Sequence, residues 1–323
     1  MSEEVLIQVS HLSRHYGPIT AVNNIQFELH RGEVLGFLGP NGAGKSTSMQ
    51  MITGNLAPST GSIKVCGIDL LDDPKQAKAN IGYLPEQPPV YRELTVDEYL
   101  RFCARINRLA KNNIADAVTR AKERCGLSNV AHRLIGNLSK GYQQRVGIAQ
   151  AIIHSPAIVV LDEPTVGLDP IQIREIRSLI RELGQEHGVI LSTHILPEVQ
   201  MTCDRVQIIR GGELVYQDTM SNLNQQTQAS SLILGLGNEV SASELNALSD
   251  IKQIEQLAPT RWRLTFKENT QPTSQIAKQV IDKGWQLLEL NPEQKTLEQI
   301  FVDITTTELP TVHQEESTRE DAA

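Results

Sequence analysis

The segment Gly39-Pro40-Asn41-Gly42-Ala43-Gly44-Lys45-Ser46-Thr47 constrains this chain more than any other, because it follows the apolar run Val34-Leu35-Gly36-Phe37-Leu38 and leads into a predicted helix. It fits the pattern G-x-x-x-x-G-K-[ST] in the strand, loop and helix setting that the pattern requires. Glycines let backbone N–H groups turn inward around phosphate oxygens, and the positive end of the following helix faces them. The segment therefore predicts a nucleoside triphosphate site, with Lys45 reaching the β and γ phosphates and the Ser46 hydroxyl ligating Mg²⁺. The alternative is a glycine-rich turn with a solvated lysine; a chance match in a chain of this length has odds on the order of one in a hundred.

A chain of 323 residues exceeds a typical single domain, so one large domain and a smaller one are expected. Hydrophobic residues make up 40% and charged residues 21%, the balance of a soluble globular protein. The formal net charge is −8 and no lysine-rich or arginine-rich block occurs, which argues against direct binding of nucleic acid. No apolar run approaches the roughly 18 to 20 residues that span a bilayer, and Met1-Ser2-Glu3-Glu4 is acidic where a signal peptide is basic. The expectation is a cytoplasmic chain with no transmembrane segment. Cys66, Cys103, Cys125 and Cys203 form no C-x-x-C pair, so they read as small buried or half-buried residues, not as a zinc site or a disulfide scaffold.

Residues 5–9, 25–29 and 63–65 read as strands, the second alternating cleanly, and alternation implies an antiparallel sheet with one solvated face. Residues 158–161 and 189–191 are unbroken apolar runs, as expected of central parallel strands covered on both faces. Between them the pattern is helical. One helix begins at the capping pair Thr95 and Glu98, a second spans 113–125 and stops at Gly126, and a third starts near Ser139 and ends before Pro156. The fold class is thus α/β, a mixed sheet core with an antiparallel β subdomain and a helical insertion.

A turn and strand at 211–216 lead into a polar stretch, where the domain boundary is placed. The predicted organisation is 1–220 as the nucleotide-binding domain, 221–229 as a linker, 230–305 as a C-terminal α+β domain and 306–323 as an acidic, disordered tail. Within the C-terminal domain the predicted order is βαββαβ, the ferredoxin-like pattern, followed by an amphipathic helix with Leu297, Ile300, Phe301 and Ile304 on one face.

The run 158–161 ends in Asp162-Glu163-Pro164, and the carboxyl edge of a parallel strand is where an open α/β sheet holds its ligand. Asp162 is predicted to hold Mg²⁺ and Glu163 to act as general base on the attacking water. By itself a strand followed by Asp-Glu could be a solvated strand end; the phosphate loop upstream favours the catalytic reading.

With these motifs in place the chain resembles the nucleotide-binding subunit of an ATP-binding-cassette (ABC) transporter over about its first 220 residues. Tyr16 in Arg14-His15-Tyr16-Gly17 matches the aromatic that stacks on adenine. Gln87 in Leu84-Pro85-Glu86-Gln87-Pro88 matches the glutamine that touches Mg²⁺ and water and sits against the membrane subunit. Leu138-Ser139-Lys140-Gly141-Tyr142-Gln143-Gln144-Arg145 matches the family signature L-S-G-G-Q, with Lys140 and Tyr142 in place of a glycine and a glutamine. Val166-Gly167-Leu168-Asp169 stands where the family has S-A-L-D, and His194 matches the histidine that bonds the γ-phosphate and orders Glu163.

The resemblance implies that Ser139 and Gly141 of one copy face the γ-phosphate held by a second, so that two ATP molecules are sandwiched in a dimer. It also implies separate permease subunits and a peripheral place on the cytoplasmic face of the membrane. The signature form and the appended domain resemble ATPases of ABC-2-type exporters. The alternative is a soluble ABC ATPase acting on ribosomes or DNA, whose usual marks (a second cassette, a long coiled coil, cysteine-rich insertions) are not visible. For the C-terminal domain, a docking or dimer-stabilising appendage is preferred to a ligand sensor. The transported substrate and the choice of homodimer or heterodimer are not encoded in these motifs.

Overall fold

The computed structural model describes residues 4–226, 231–246, 248, 251–266, 273–293 and 299. The chain divides into two compact units, Met1–Gln228 and Ala229–Ala323.

The first unit opens with two long antiparallel strands, β1 (Val5–Tyr16) and β2 (Ile19–His30), both extending well beyond the alternating segments that predict them. With β4 (Thr60–Val65) and β5 (Ile68–Asp69) they form a four-stranded antiparallel sheet, order β2-β1-β4-β5. The buried strand β3 (Val34–Leu38) leads through the glycine loop into α1 (Lys45–Ile52). A short helix α2 (Pro74–Lys78), N-capped by Asp73, precedes β6 (Ile81–Leu84).

Three helices follow: α3 (Val96–Ile106), α4 (Ile114–Arg124) and α5 (Lys140–Ile152). The first carries the expected capping box, with Thr95 and Glu98 each satisfying the other's backbone N–H. The chain then alternates through β7 (Ile158–Asp162), α6 (Pro170–Gly184), β8 (Gly188–Thr193), α7 (Leu196–Thr202), β9 (Arg205–Arg210) and β10 (Glu213–Thr219). The second sheet has the order β10-β9-β3-β8-β7-β6, parallel throughout except for the β9–β10 hairpin.

Ile158, Val159, Val160 and Leu161 are all fully buried, as an unbroken apolar run requires when both faces of a sheet are covered. At about 1.5–3 kcal/mol for each fully buried aliphatic side chain, such strands fix their own place in the sheet. Leu6, Ile7 and Phe27 of the antiparallel sheet share one core with Leu35, Phe37, Val160 and Ile190 of the other, and the Phe27 and Phe37 rings meet at 5.9 Å.

The polar stretch read as a linker begins as a helix, α8 (Met220–Gln226), inside the first unit. Met220 and Leu223, one turn apart, are buried, and the Thr219 hydroxyl accepts the Asn222 N–H, so two anchors and a cap hold a segment whose composition reads as loop.

The second unit runs β11 (Ser231–Leu236), α9 (Ala242–Leu245), β12 (Ile251–Ala258), β13 (Arg261–Phe266), α10 (Thr273–Asp282) and β14 (Leu287–Glu293). All neighbours in its sheet, order β12-β13-β11-β14, are antiparallel. Its own core gathers Leu232, Leu234, Trp262, Leu264, Ile276 and Val280. The amphipathic helix and acidic tail expected after residue 294 lie outside the described residues, residue 299 aside. No described helix is long and apolar enough to cross a membrane.

Two histidines sit where the parallel strands begin. His154 bonds the Ile81 carbonyl at 3.2 Å and His187 Nδ1 donates to the Pro156 carbonyl at 2.6 Å. Burial holds both imidazoles below their ordinary value of 6.5. The unfolded chain therefore takes up protons at these sites below pH 6.5 where the folded chain does not, so their contribution to stability is full above that pH and is lost as pH falls. In urea melts of the isolated protein, the midpoint is expected to drop more steeply between pH 7 and pH 5 for the natural chain than for the His154→Gln, His187→Gln double variant; equal slopes would contradict the assignment.

Candidate active site

Strand register assembles the site. In the β7–β8 pair Asp162 stands opposite Ser192, and in the β3–β8 pair Leu38 stands opposite Thr193. The carboxyl ends of three neighbouring parallel strands are thereby level, and everything that follows them in sequence leaves the sheet at one edge.

From β3 emerges the loop 39–44. A Cβ at Gly39 would lie 2.4 Å from the Ile209 carbonyl oxygen, and at Gly44, where φ is +107°, 2.6 Å from that of Ala21, so only glycine fits these two positions. Ala43 is buried beneath the loop, and Gly44 N-caps α1. Lys45, in the first turn of that helix, is only 6% exposed. Its ammonium donates to the carbonyls of Gly39 at 2.8 Å and Pro40 at 3.1 Å and lies 3.5 Å from Glu163 Oε1.

From β7 emerge Asp162 and Glu163. Glu163 has φ +48°, a left-handed conformation that a non-glycine residue holds at a cost of about 1–3 kcal/mol, the kind of strain that collects at functional sites. Its N–H donates to the Ser192 carbonyl at 2.9 Å, and both carboxylate oxygens contact His194 Nδ1, at 2.9 and 3.0 Å. Glu163 is buried while the His194 side chain is 40% exposed, so the histidine can face a ligand and the glutamate together.

A cavity of about 420 Å³ lies over these groups, lined by Asn41, Gly42, Gly44, Lys45, Ser46 and Thr47 of the loop and helix, together with Ala21, Glu86, Glu163, Val166 and His194. Asp162, the last residue of β7 and the neighbour of Glu163, is buried. Burial raises its pKa, the hydroxyls of Ser192 and Ser46 pull the other way, and the charges of Glu163 and Glu86 add to the rise. Its Oδ1 has no hydrogen-bond partner among the described residues. A buried carboxylate oxygen left unsatisfied beside the Ser46 hydroxyl suits a hard divalent cation ligated by oxygen.

The other residues singled out in the sequence stand away from this cavity. Tyr16, at the end of β1, is exposed, with the Arg14 guanidinium 4.7 Å from its ring centre. Gln87 is exposed and lines a second cavity, of about 540 Å³, with Lys140, Gln144 and Val166. Ser139 N-caps α5, accepting the Tyr142 N–H at 3.4 Å, and Gly141 is buried so closely against Gln172 that a Cβ would come within 2.6 Å of its carboxamide. Asp169 N-caps α6 through the N–H groups of Ile171 and Gln172, both at 2.9 Å. Ala21, Glu86 and Val166 line the cavity without having been named as site residues; Glu86 and Val166 stood inside motifs singled out for Gln87 and Asp169, and Ala21 left no signal.

A phosphate-cradling loop at a helix N-terminus, a buried cation on that loop, and a carboxylate–histidine pair at the ends of adjacent parallel strands define a P-loop nucleoside triphosphatase. Residues 22–166 match the ABC transporter family. The chain is 32% identical to the uncharacterized ABC transporter ATP-binding protein YdbJ of Bacillus subtilis over 97% of its own length and 98% of that protein's. It is 36% identical to the bacitracin transport ATP-binding protein BcrA of Bacillus licheniformis, covering 69% of this chain and 72% of that one. Among solved structures, an ATP-binding subunit of an ABC transporter superposes with a TM-score of 0.62 at 32% identity, over 68% of this chain and 92% of that chain. The chain belongs to the ABC transporter family as an ATP-binding, ATP-hydrolysing subunit.

Replacing Lys45 with Ala removes the only buried cation lining the described cavity. The loss of its charge-assisted bonds to phosphate is expected to weaken ATP binding by about 2–5 kcal/mol. Titration calorimetry checks this, and an affinity within threefold of the natural chain would contradict the assignment.

Proposed function

We propose that this chain is the MgATP-driven motor of an ABC exporter, acting on permease subunits at the cytoplasmic face of the membrane. The observation that carries the reading is the Glu163–His194 contact at the mouth of the phosphate loop. In the proposed reaction a water attacks the γ-phosphorus, its proton passes to a Glu163 oxygen, and the bond to the ADP oxygen breaks. His194 keeps Glu163 turned toward that water and donates to the γ-phosphate, while Lys45 and the loop N–H groups hold the β and γ phosphates against the charge that develops. Ser46 and Asp162, with Gln87 from the neighbouring cavity, are the residues that would hold Mg²⁺, which supplies further neutralisation of phosphate charge.

Tyr16 serves as the adenine platform in this reading, backed by Arg14 on one face. Ser139, Gly141 and Asp169 lie off the cavity of their own chain, which supports a role across an interface with a second copy. There the N-terminus of α5 would add N–H donors to the γ-phosphate of the partner's ATP. The bacitracin transport relative and the Lys140-containing signature favour export. The antiparallel order β12-β13-β11-β14 with two helices supports a ferredoxin-like accessory module, which we assign to docking or to stabilising a dimer, with the boundary after α8 near residue 228.

An affinity-tagged full chain expressed in its own organism and purified from detergent-solubilised membranes is expected to bring down a polytopic membrane protein in near-stoichiometric amount. Recovery of ribosomal proteins without one would contradict the transporter reading.

A further inference from the structure

Glu198 lies in the first turn of α7 and is 1% exposed. A carboxylate that deep must be satisfied by donors, and both of its oxygens are. The Thr193 hydroxyl donates to Oε2 at 2.7 Å and the Thr165 hydroxyl donates to Oε1. Arg177 of α6 comes within 3.9 Å of Oε1, a distance that offsets charge without a direct bond.

The two threonines occupy telling positions. Thr165 is two residues beyond Glu163, and Thr193 immediately precedes His194. The Thr193 hydroxyl also accepts the Ile195 N–H at 3.1 Å, on the far side of the histidine. The Thr165 carbonyl accepts the Leu168 N–H at 3.2 Å, in the turn that leads to Asp169 and α6. One buried carboxylate therefore ties the segment bearing Glu163 to the segment bearing His194. The bond from Glu163 N–H to the Ser192 carbonyl fixes the backbones at the strand ends, and the Glu163–His194 contact beyond them is the one whose geometry the clamp supports.

We propose that Glu198 is a positioning residue for hydrolysis: by clamping Thr165 to Thr193 it holds Glu163 and His194 at contact distance. This rests on the proposed roles of that pair. Without the clamp, the strained turn at Glu163 and the exposed loop at His194 are free to move independently, and a carboxylate displaced by about 1 Å loses its line on the attacking water. The clamp meets the phosphate loop only through backbone, where the Thr193 carbonyl accepts the Gly39 N–H at 3.4 Å, a bond that substitution of the Glu198 side chain leaves in place, so nucleotide affinity is not expected to follow the rate.

The test uses the purified full chain, with melting curves to verify folding, ATP titration for Kd and steady-state phosphate release for kcat. For Glu198→Ala the expected result is a loss of kcat of tenfold or more with Kd for MgATP within threefold. Glu198→Gln, whose carboxamide oxygen still accepts one threonine hydroxyl, is expected to recover part of the rate. In a His194→Ala background, Glu198→Ala is expected to cause no further loss, because the pair it positions is already broken. A folded Glu198→Ala with kcat within twofold of the natural chain, or an undiminished tenfold loss on top of His194→Ala, overturns the proposal. Should Glu198→Ala fail to fold, Thr165→Val and Thr193→Val take its place, and unchanged kcat in both overturns it equally. If Glu163→Gln instead hydrolysed ATP at the natural rate, the reading of Glu163 would fall, while the measured coupling of Glu198 to His194 would be judged on its own result.

Discussion

The hydrogen bond between Glu163 and His194 exists only because β7 and β8 are parallel neighbours in the register that sets Asp162 beside Ser192. A slip of one residue would turn every side chain of β7 to the other face and carry Glu163 away from the histidine. What prevents the slip is burial on both faces: four consecutive fully buried side chains on β7 pack between helices and the antiparallel sheet. The chemistry at the strand ends thus depends on hydrophobic matching a few residues upstream. The same register brings the end of β3 beside Thr193, so the phosphate loop and the carboxylate–histidine pair leave the sheet side by side.

Much of this was legible in the sequence because the relevant signals are local. The phosphate loop carries its own constraints in its glycines, the apolar runs announce buried parallel strands, and the spacing of Thr95 and Glu98 announces a helix start. Lys45, Ser46, Asp162, Glu163 and His194 could be named before any coordinates. Helix α8 was not legible, because a cap on Thr219 and two buried side chains outweigh a composition rich in Asn and Gln. The lengths of β1 and β2 were also hidden, since bulges interrupt the alternation that would have revealed them.

The long-range features of the site were the least visible. Glu198 reads in the sequence as an ordinary acidic residue in the first turn of a helix, where a carboxylate is favoured by the helix dipole and usually solvated. That it is buried and bonded to two threonines from different loops depends on tertiary packing and leaves no mark on local pattern. Glu86 is similar: its approach to the cavity follows from the position of β6 at the edge of the parallel sheet, not from its neighbours in the chain. Tyr16, Gln87, Ser139, Gly141 and Asp169 were named from motif resemblance, and the single chain leaves them off the phosphate cavity. For Ser139, Gly141 and Asp169 this separation supports the proposed site shared between two copies, each offering a cradle at one edge and a helix N-terminus at another.

If, as proposed, one chain carries two unlike halves of a site that meet only between copies, the mass of the Glu163→Gln variant in solution by light scattering reports it most directly. With MgATP the account predicts twice the monomer mass, returning to the monomer with MgADP. A protein that binds ATP yet keeps the monomer mass in both nucleotides would contradict it.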